Sequence, residues 1–93
     1  MKPRSRRSRS WWKYWRKLPS HIQEEAFEAF RIFSRDPHNP TLKSKEYIVG
    51  RDRIYRVQVT YSYRAVAVLT EETYVWVYIG THAEYETFLG LNR

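Results

Sequence analysis

The sequence predicts an α+β fold: two N-terminal helices packed on an antiparallel β-meander of three to four strands, closed by a short C-terminal helix. Three observations carry this. Apolar residues recur at helical spacing as far as Phe33 and then switch to the two-residue alternation of strands. The strand segments are separated by loops short enough for hairpins, at Tyr61-Ser62 and from Thr70 to Thr73. Finally, "YIGTHAEYETFL", Tyr78 to Leu89, changes period in the middle: alternation stops at Gly80, and Tyr85, Phe88 and Leu89 follow at helical spacing. Helices first, strands next and one closing helix is an α+β order.

Residues 1–9, "MKPRSRRSR", are low in complexity and read as a basic, flexible arm; residues 10–93 read as a single domain. Ser10 is placed to cap a short helix through Leu18, with Trp11, Trp15 and Leu18 on one side. Pro19-Ser20 breaks it. Ser20 and Gln23 form a capping-box pattern that opens "HIQEEAFEAFRIF", whose core stripe is Ile22, Ala26, Ala29, Phe30 and Phe33. Pro37 and Pro40 end that helix. Strands follow in "KSKEYIV", "RIYRVQVT", "YRAVAVL" and "TYVWVYI", by β-branched and aromatic content. Strict alternation gives the last strand an aliphatic face (Val75, Val77, Ile79) and an aromatic one (Tyr74, Trp76, Tyr78). It divides the earlier strand into Tyr55, Val57, Val59 against Arg56, Gln58, Thr60, and puts Arg64 with Val66 and Val68. One face receives the long helix. The other, basic and aromatic and half-covered by the closing helix, is where function is expected.

At 93 residues the chain buries only roughly 60–65% of its unfolded surface, enough for one modest core. It has no cysteine, so neither disulfides nor a Cys-based zinc site can supplement that core. No apolar run reaches the length of a membrane span and no signal-peptide h-region is visible, so the sequence reads as soluble and cytoplasmic. The net charge of +7 is unevenly placed. Eight of the seventeen basic residues lie between Lys2 and Lys17, a stretch without one carboxylate, and the remaining nine face all ten acidic residues. The arm (Arg4, Arg6, Arg7, Arg9) therefore suits a polyanion such as nucleic acid, or serves as a solubilising tail.

Four residues are candidates for chemistry: Arg56, Arg64, His82 and Tyr85. A mid-strand arginine among apolar neighbours is informative because burying an unpaired guanidinium is costly. The bland alternative is that Arg64 pairs with Glu46 or Glu84 and that Arg56 is a solvated strand residue. Thr81-His82-Ala83-Glu84 fits a capping box, which makes His82 the first residue of the closing helix. There the helix dipole favours a neutral ring, and free backbone N–H groups can receive a phosphate. The alternative is a surface histidine without a role, and Tyr85 is equally a core residue. His21 and His38 show no partner pattern, no metal-ligand cluster is present, and neither a serine or cysteine nucleophile motif nor a Gly-rich loop occurs. Any enzymology is then acid–base and electrostatic work on a phosphodiester. RNA suits it, since the ribose 2′-hydroxyl is a built-in nucleophile.

"WRKLPSHIQEEAFEAFRIFSRDPHNPTLKSK", "YRVQVTYSYRAVAV" and "VWVYIGTHAEYETFL" together resemble the RelE/ParE superfamily of bacterial type II toxin–antitoxin toxins, from about Trp11 to Leu91. The pieces "LP..IQ..A", "P..P.L", "YR" and "IGTHAEY" occur in that family's order. The resemblance implies a RelE-like fold, an mRNA interferase activity without cofactor or metal, a cognate antitoxin, and mRNA and the ribosome as partners. By position, Arg56 and Arg64 match the basic residues that hold the scissile phosphate, and His82 falls where some branches have a catalytic histidine. Tyr85 falls near the aromatic that assists or stacks, with Trp76 as a second stacking residue and Lys45 as a further phosphate contact. Gln58 stands where the RelE branch has a second lysine, and the usual first strand is not recognisable; both departures point to the histidine-using branches. Two rival readings are a ParE-like toxin that binds DNA gyrase and a non-enzymatic RNA- or ribosome-binding module held by the arm.

Overall fold

Four strands run as an antiparallel meander, and a fifth, from the segment predicted as a tail, joins them in parallel. The computed structural model describes residues 4–89; residues 1–3 of the arm and 90–93 at the end of the predicted domain lie outside the described residues. In order the elements are β1 (Arg4–Arg7), α1 (Arg9–Trp15), α2 (Ser20–Arg35), a 3₁₀ turn (Pro40–Leu42), β2 (Lys45–Val49), β3 (Asp52–Gln58), β4 (Tyr63–Thr70), β5 (Thr73–Thr81) and α3 (His82–Leu89). The strands lie in the order β1-β5-β4-β3-β2.

β1 corrects the expectation of a flexible arm. Arg4–Arg7 pairs in parallel with Thr73–Trp76, so the first strand that seemed to be missing is made of three arginines and a serine. Such a segment has no strand propensity of its own. What recruits it is the open edge of β5, whose backbone groups need partners, and arginines on the new edge discourage further pairing.

Two caps also differ from expectation. α1 starts two residues early, because Ser8 rather than Ser10 caps it: Ser8 Oγ accepts from the Trp11 N–H at 3.2 Å. The Ser20–Gln23 box does not form, since Pro19 occupies the cap position and Gln23 Nε2 donates instead to the Trp15 carbonyl at 3.1 Å. That bond ties the first turn of α2 to the end of α1. The predicted stripe holds: Ile22, Ala26, Ala29 and Phe33 are buried, with Phe30 half-buried beside them, against Tyr55, Val57, Ala65, Ala67 and Trp76.

The largest departure in side-chain placement comes from one β-bulge. Val66 pairs with Tyr78 but Ala67 pairs with Trp76, which leaves Val77 as the extra residue. Beyond it every side chain changes face. Trp76 and Ile79 therefore enter the core under the helices, and Tyr78 joins Ile54, Val66 and Tyr85 on the opposite face. Trp76 is 2% exposed, with Phe30 and Phe33 edge-on at 4.9 and 5.1 Å and its Nε1–H donated to Ser5 Oγ. It belongs to the core and is corrected as a base-stacking residue.

α3 is seated by an aromatic trio. Tyr78 stacks on Phe88 at 4.8 Å and meets Tyr14 of α1 at 4.9 Å. The Tyr78 hydroxyl donates to the Thr81 carbonyl at 3.2 Å, so its ring crosses Gly80. A Cβ at Gly80 would collide with that ring, its Cζ only 2.8 Å away, which explains the glycine at the strand-to-helix joint.

Candidate functional site

Arg56 and Gln58 on β3 and Arg64 on β4 share the sheet face that carries α3. Gln58 is the cross-strand partner of Arg64, Arg56 lies two residues along, and Lys45 pairs with Arg56 from β2. The two arginines are thus diagonal neighbours on one face of the sheet. Exposed Lys45 and half-buried Gln58 stand beside them.

Both residues are more than nine-tenths buried, at 9% and 7% exposed for Arg56 and Arg64. Neither has a carboxylate partner among the described residues, where the ion pairs are Arg31–Glu28 and Arg53–Glu46. The expected alternative, Arg64 held by Glu46 or Glu84, does not occur: Glu46 accepts from Arg53 at 3.0 Å and Glu84 bonds to Thr81. Instead Arg64 Nη1 donates to the carbonyls of Thr60, Tyr61 and Tyr63 at 2.9, 3.0 and 3.1 Å, and Arg56 Nη2 to the Lys43 carbonyl at 3.0 Å. Carbonyl dipoles hold the arginines in place without neutralising them. The Nε of each is buried and unpartnered. Burial, and then repulsion from Arg56, pulls the Arg64 guanidinium below the usual arginine value, though arginine stays charged at neutral pH. Two buried like charges cost the fold several kcal/mol per ion unless an anion compensates them.

Tyr85 lies over this pair. It is 2% exposed, its ring centroid is 5.9 Å from Arg56 Cζ, and its hydroxyl donates to the Tyr47 hydroxyl at 3.2 Å. Burial, with the bond to Tyr47 and that phenol's proximity, pushes the Tyr85 hydroxyl up to about 12 against the pull of Arg56. At neutral pH it is a phenol with a proton to give.

His82 opens α3 as predicted, exposed, with its ring centroid 5.6 Å from that of Tyr85. The capping box forms by half. Thr81 Oγ1 accepts from the Glu84 N–H at 3.2 Å, but the Glu84 carboxylate engages the Thr81 hydroxyl at 3.1 Å, not a backbone N–H. The His82 N–H donates to the Ser62 carbonyl at 2.7 Å. That amide is thus unavailable to a phosphate, and what fixes His82 is the β3–β4 turn.

The structure therefore gathers Arg56, Arg64, Gln58, Lys45, His82 and Tyr85 on one face and excludes Trp76. Arg4, Arg6, Arg7 and Arg9 are exposed, and β1 is separated from β4 by β5. Arg7 lies over the rings of Trp11 and Trp12, 5.4 Å from each. Sequence reasoning missed Tyr47, although its place two residues after Lys45 in "KEYIV" puts it on this face. A groove of about 380 Å³ between α1 and α3, lined by Tyr14, Leu18, Tyr78 and Phe88 among others, contains neither arginine nor His82. Among the described residues, no three His, Cys, Asp or Glu side chains cluster closely enough to hold a metal ion, and no helix is long and apolar enough to cross a membrane.

The architecture is that of RelE-like toxins, three helices on a five-stranded mixed sheet. It is similar to the structure of the RelBE2 toxin–antitoxin complex from Mycobacterium tuberculosis, with a TM-score of 0.68, 19% identity, and coverage of 88% of this chain and 100% of that one. It is also similar to a copper-bound mutant toxin from Helicobacter pylori, with a TM-score of 0.61, 11% identity, and coverage of 88% and 97%. No curated protein sequence matches the chain. The sequence model of the ParE-like toxin domain matches residues 20–87, from the first turn of α2 into α3, and the chain belongs to that family.

Proposed function

We propose that this protein is the toxin of a type II toxin–antitoxin system and acts as a metal-independent endoribonuclease on mRNA, with the ribosome as its setting. One observation carries the reading: two buried, adjacent arginines without a carboxylate partner, beside an exposed histidine and a neutral phenol. A scissile phosphate supplies the charge the pair lacks. The ribose 2′-hydroxyl attacks phosphorus and loses its proton to His82, the bond to the 5′ oxygen breaks, and that oxygen takes a proton from Tyr85. Arg56 and Arg64 stabilise the charge growing on the phosphoryl oxygens, commonly the largest catalytic term. The products are a 2′,3′-cyclic phosphate and a 5′-hydroxyl. Lys45 and Gln58 contact neighbouring phosphates, the exposed arginines of β1 add non-specific affinity, and the cognate antitoxin is the protein partner.

The test is to induce wild type, His82→Ala and Arg64→Gln in cells and map mRNA 5′ ends. Wild type should create new 5′-hydroxyl ends, and each variant should reduce them by roughly 100-fold or more. A second reading draws on the family itself, since ParE-like toxins kill by binding DNA gyrase. Gyrase co-purification and DNA-damage signalling, with intact mRNA and equal toxicity of all three proteins, would establish that reading instead.

A further inference from the structure

The turn between β3 and β4 is clamped from two sides. Arg64 holds the carbonyls of Thr60, Tyr61 and Tyr63 from the sheet, and the His82 N–H holds the Ser62 carbonyl from the start of α3. Within the turn, the Ser62 N–H donates to Thr60 Oγ1 at 3.2 Å and the Tyr63 N–H to the Thr60 carbonyl at 3.3 Å. Turns usually leave such groups to water and move freely. Here all four carbonyls are taken, two of the donors being Arg64 and the backbone of His82.

On this rigid turn stands Tyr61, 88% exposed. A ring left that open adds little to the fold, so the fold gives no reason for an aromatic there. The residue nevertheless adjoins the Arg64 guanidinium, whose Nη1 donates to the Tyr61 carbonyl at 3.0 Å. An exposed ring on a backbone held in place next to a cationic phosphate site is an arrangement by which proteins hold single-stranded nucleic acid, the groove taking the backbone and the ring the base.

We propose that Tyr61 is the base-stacking residue of this site, holding the nucleobase next to the phosphate gripped by Arg56 and Arg64. The inference rests on the RNA-cleaving reading above and gives Tyr61 the task the sequence assigned to Trp76. Stacking strength grows with ring area, so a purine is favoured at that position.

The test uses short oligoribonucleotides carrying a 2′-deoxynucleotide at the cleavage position, so that binding is measured without chemistry at low salt. A series has one abasic nucleotide at each successive position. Wild type should lose affinity sharply at one position. Tyr61→Phe should behave like wild type. Tyr61→Ala should bind the intact strand roughly 5- to 150-fold more weakly and become insensitive to the abasic substitution at that position. If Arg64→Gln abolishes binding while Tyr61→Ala keeps both the affinity and the positional sensitivity of wild type, Tyr61 has no such role and the site reading stands. If wild type does not bind, or Arg64→Gln binds as wild type does, the site reading fails and the Tyr61 inference with it.

Discussion

Arg4, Arg6, Arg7 and Arg9 stand exposed at or beside one edge of the sheet, whereas Arg56 and Arg64 are sunk into its middle without a carboxylate to answer them. The first group dominates the sequence by number. The second is the one the fold has to work to keep. A solvated arginine costs almost nothing and is screened within about 10 Å at ordinary salt, so its presence says little beyond attraction to polyanions. A buried, unneutralised guanidinium costs several kcal/mol, and a second one beside it adds repulsion. An arrangement that expensive points to a ligand that discharges it, and the reading proposed above gives the proton chemistry beside it to His82 and Tyr85.

Separating the two groups by substitution gives the largest expected effects. Arg56→Gln or Arg64→Gln should lower the rate of RNA cleavage at saturating substrate by about 10²–10³. Changing Arg4, Arg6, Arg7 and Arg9 together to Gln should leave kcat near wild type. It should weaken binding and flatten its salt dependence by about 0.7 logarithmic units per charge lost. Single-turnover rates and binding titrations across a salt series read both quantities. The contrast breaks if the edge arginines control kcat while the buried pair controls only the salt slope.

The sequence made the buried pair visible through alternation: Arg56 sits between Tyr55 and Val57, and Arg64 two residues from Val66, so a half-buried strand must turn a charge toward α3. It made His82 visible through the change of period at Gly80. It could not show β1, because the strand character of Arg4–Arg7 comes from the vacant edge of β5 rather than from its own residues. Nor could it show the bulge at Val77, since a single extra residue leaves the composition of "TYVWVYI" unchanged while moving Trp76 into the core. Tyr47 and Tyr61 were missed for a different reason. The contact of Tyr47 with Tyr85, and the role proposed for Tyr61, both depend on what lies across the sheet or across the turn.

Stability should separate the two buried arginines from each other. Arg56→Met removes a buried charge at the loss of one hydrogen bond, to the Lys43 carbonyl, and of the cation's contact with the Tyr85 ring. It should raise the unfolding free energy by about 1–2 kcal/mol, the usual gain when a functional strain is relieved. Arg64→Met also removes a charge but releases three carbonyls of the β3–β4 turn. It should lower the unfolding free energy by about 1–3 kcal/mol. Arg4→Met on the exposed edge should stay within about 0.5 kcal/mol of wild type. Urea unfolding distinguishes the three; equal shifts for Arg56 and Arg64 would mean that the turn draws nothing from Arg64.

The smallest effect concerns the ring that covers the pair. Tyr85 titrates near 10 in the unfolded chain and at about 12 in the fold, because burial and the bond to Tyr47 outweigh the attraction of Arg56 for a phenolate. Its folded value is the higher one, so its contribution to stability is complete below pH 10 and is lost as the pH rises to about 12. In that window the unfolded chain has released the proton and the native one has not, and stability falls by at most about 1.4 kcal/mol per pH unit for this group. Tyr55, Tyr74 and Tyr78 are shifted in the same direction, chiefly by burial, and steepen the fall. Tyr85→Phe should therefore unfold less steeply between pH 10 and 12, by up to one proton, with Arg56 unchanged. An identical slope in the variant would mean that Tyr85 titrates no higher in the fold than in the unfolded chain, with the attraction of Arg56 offsetting burial and the bond to Tyr47.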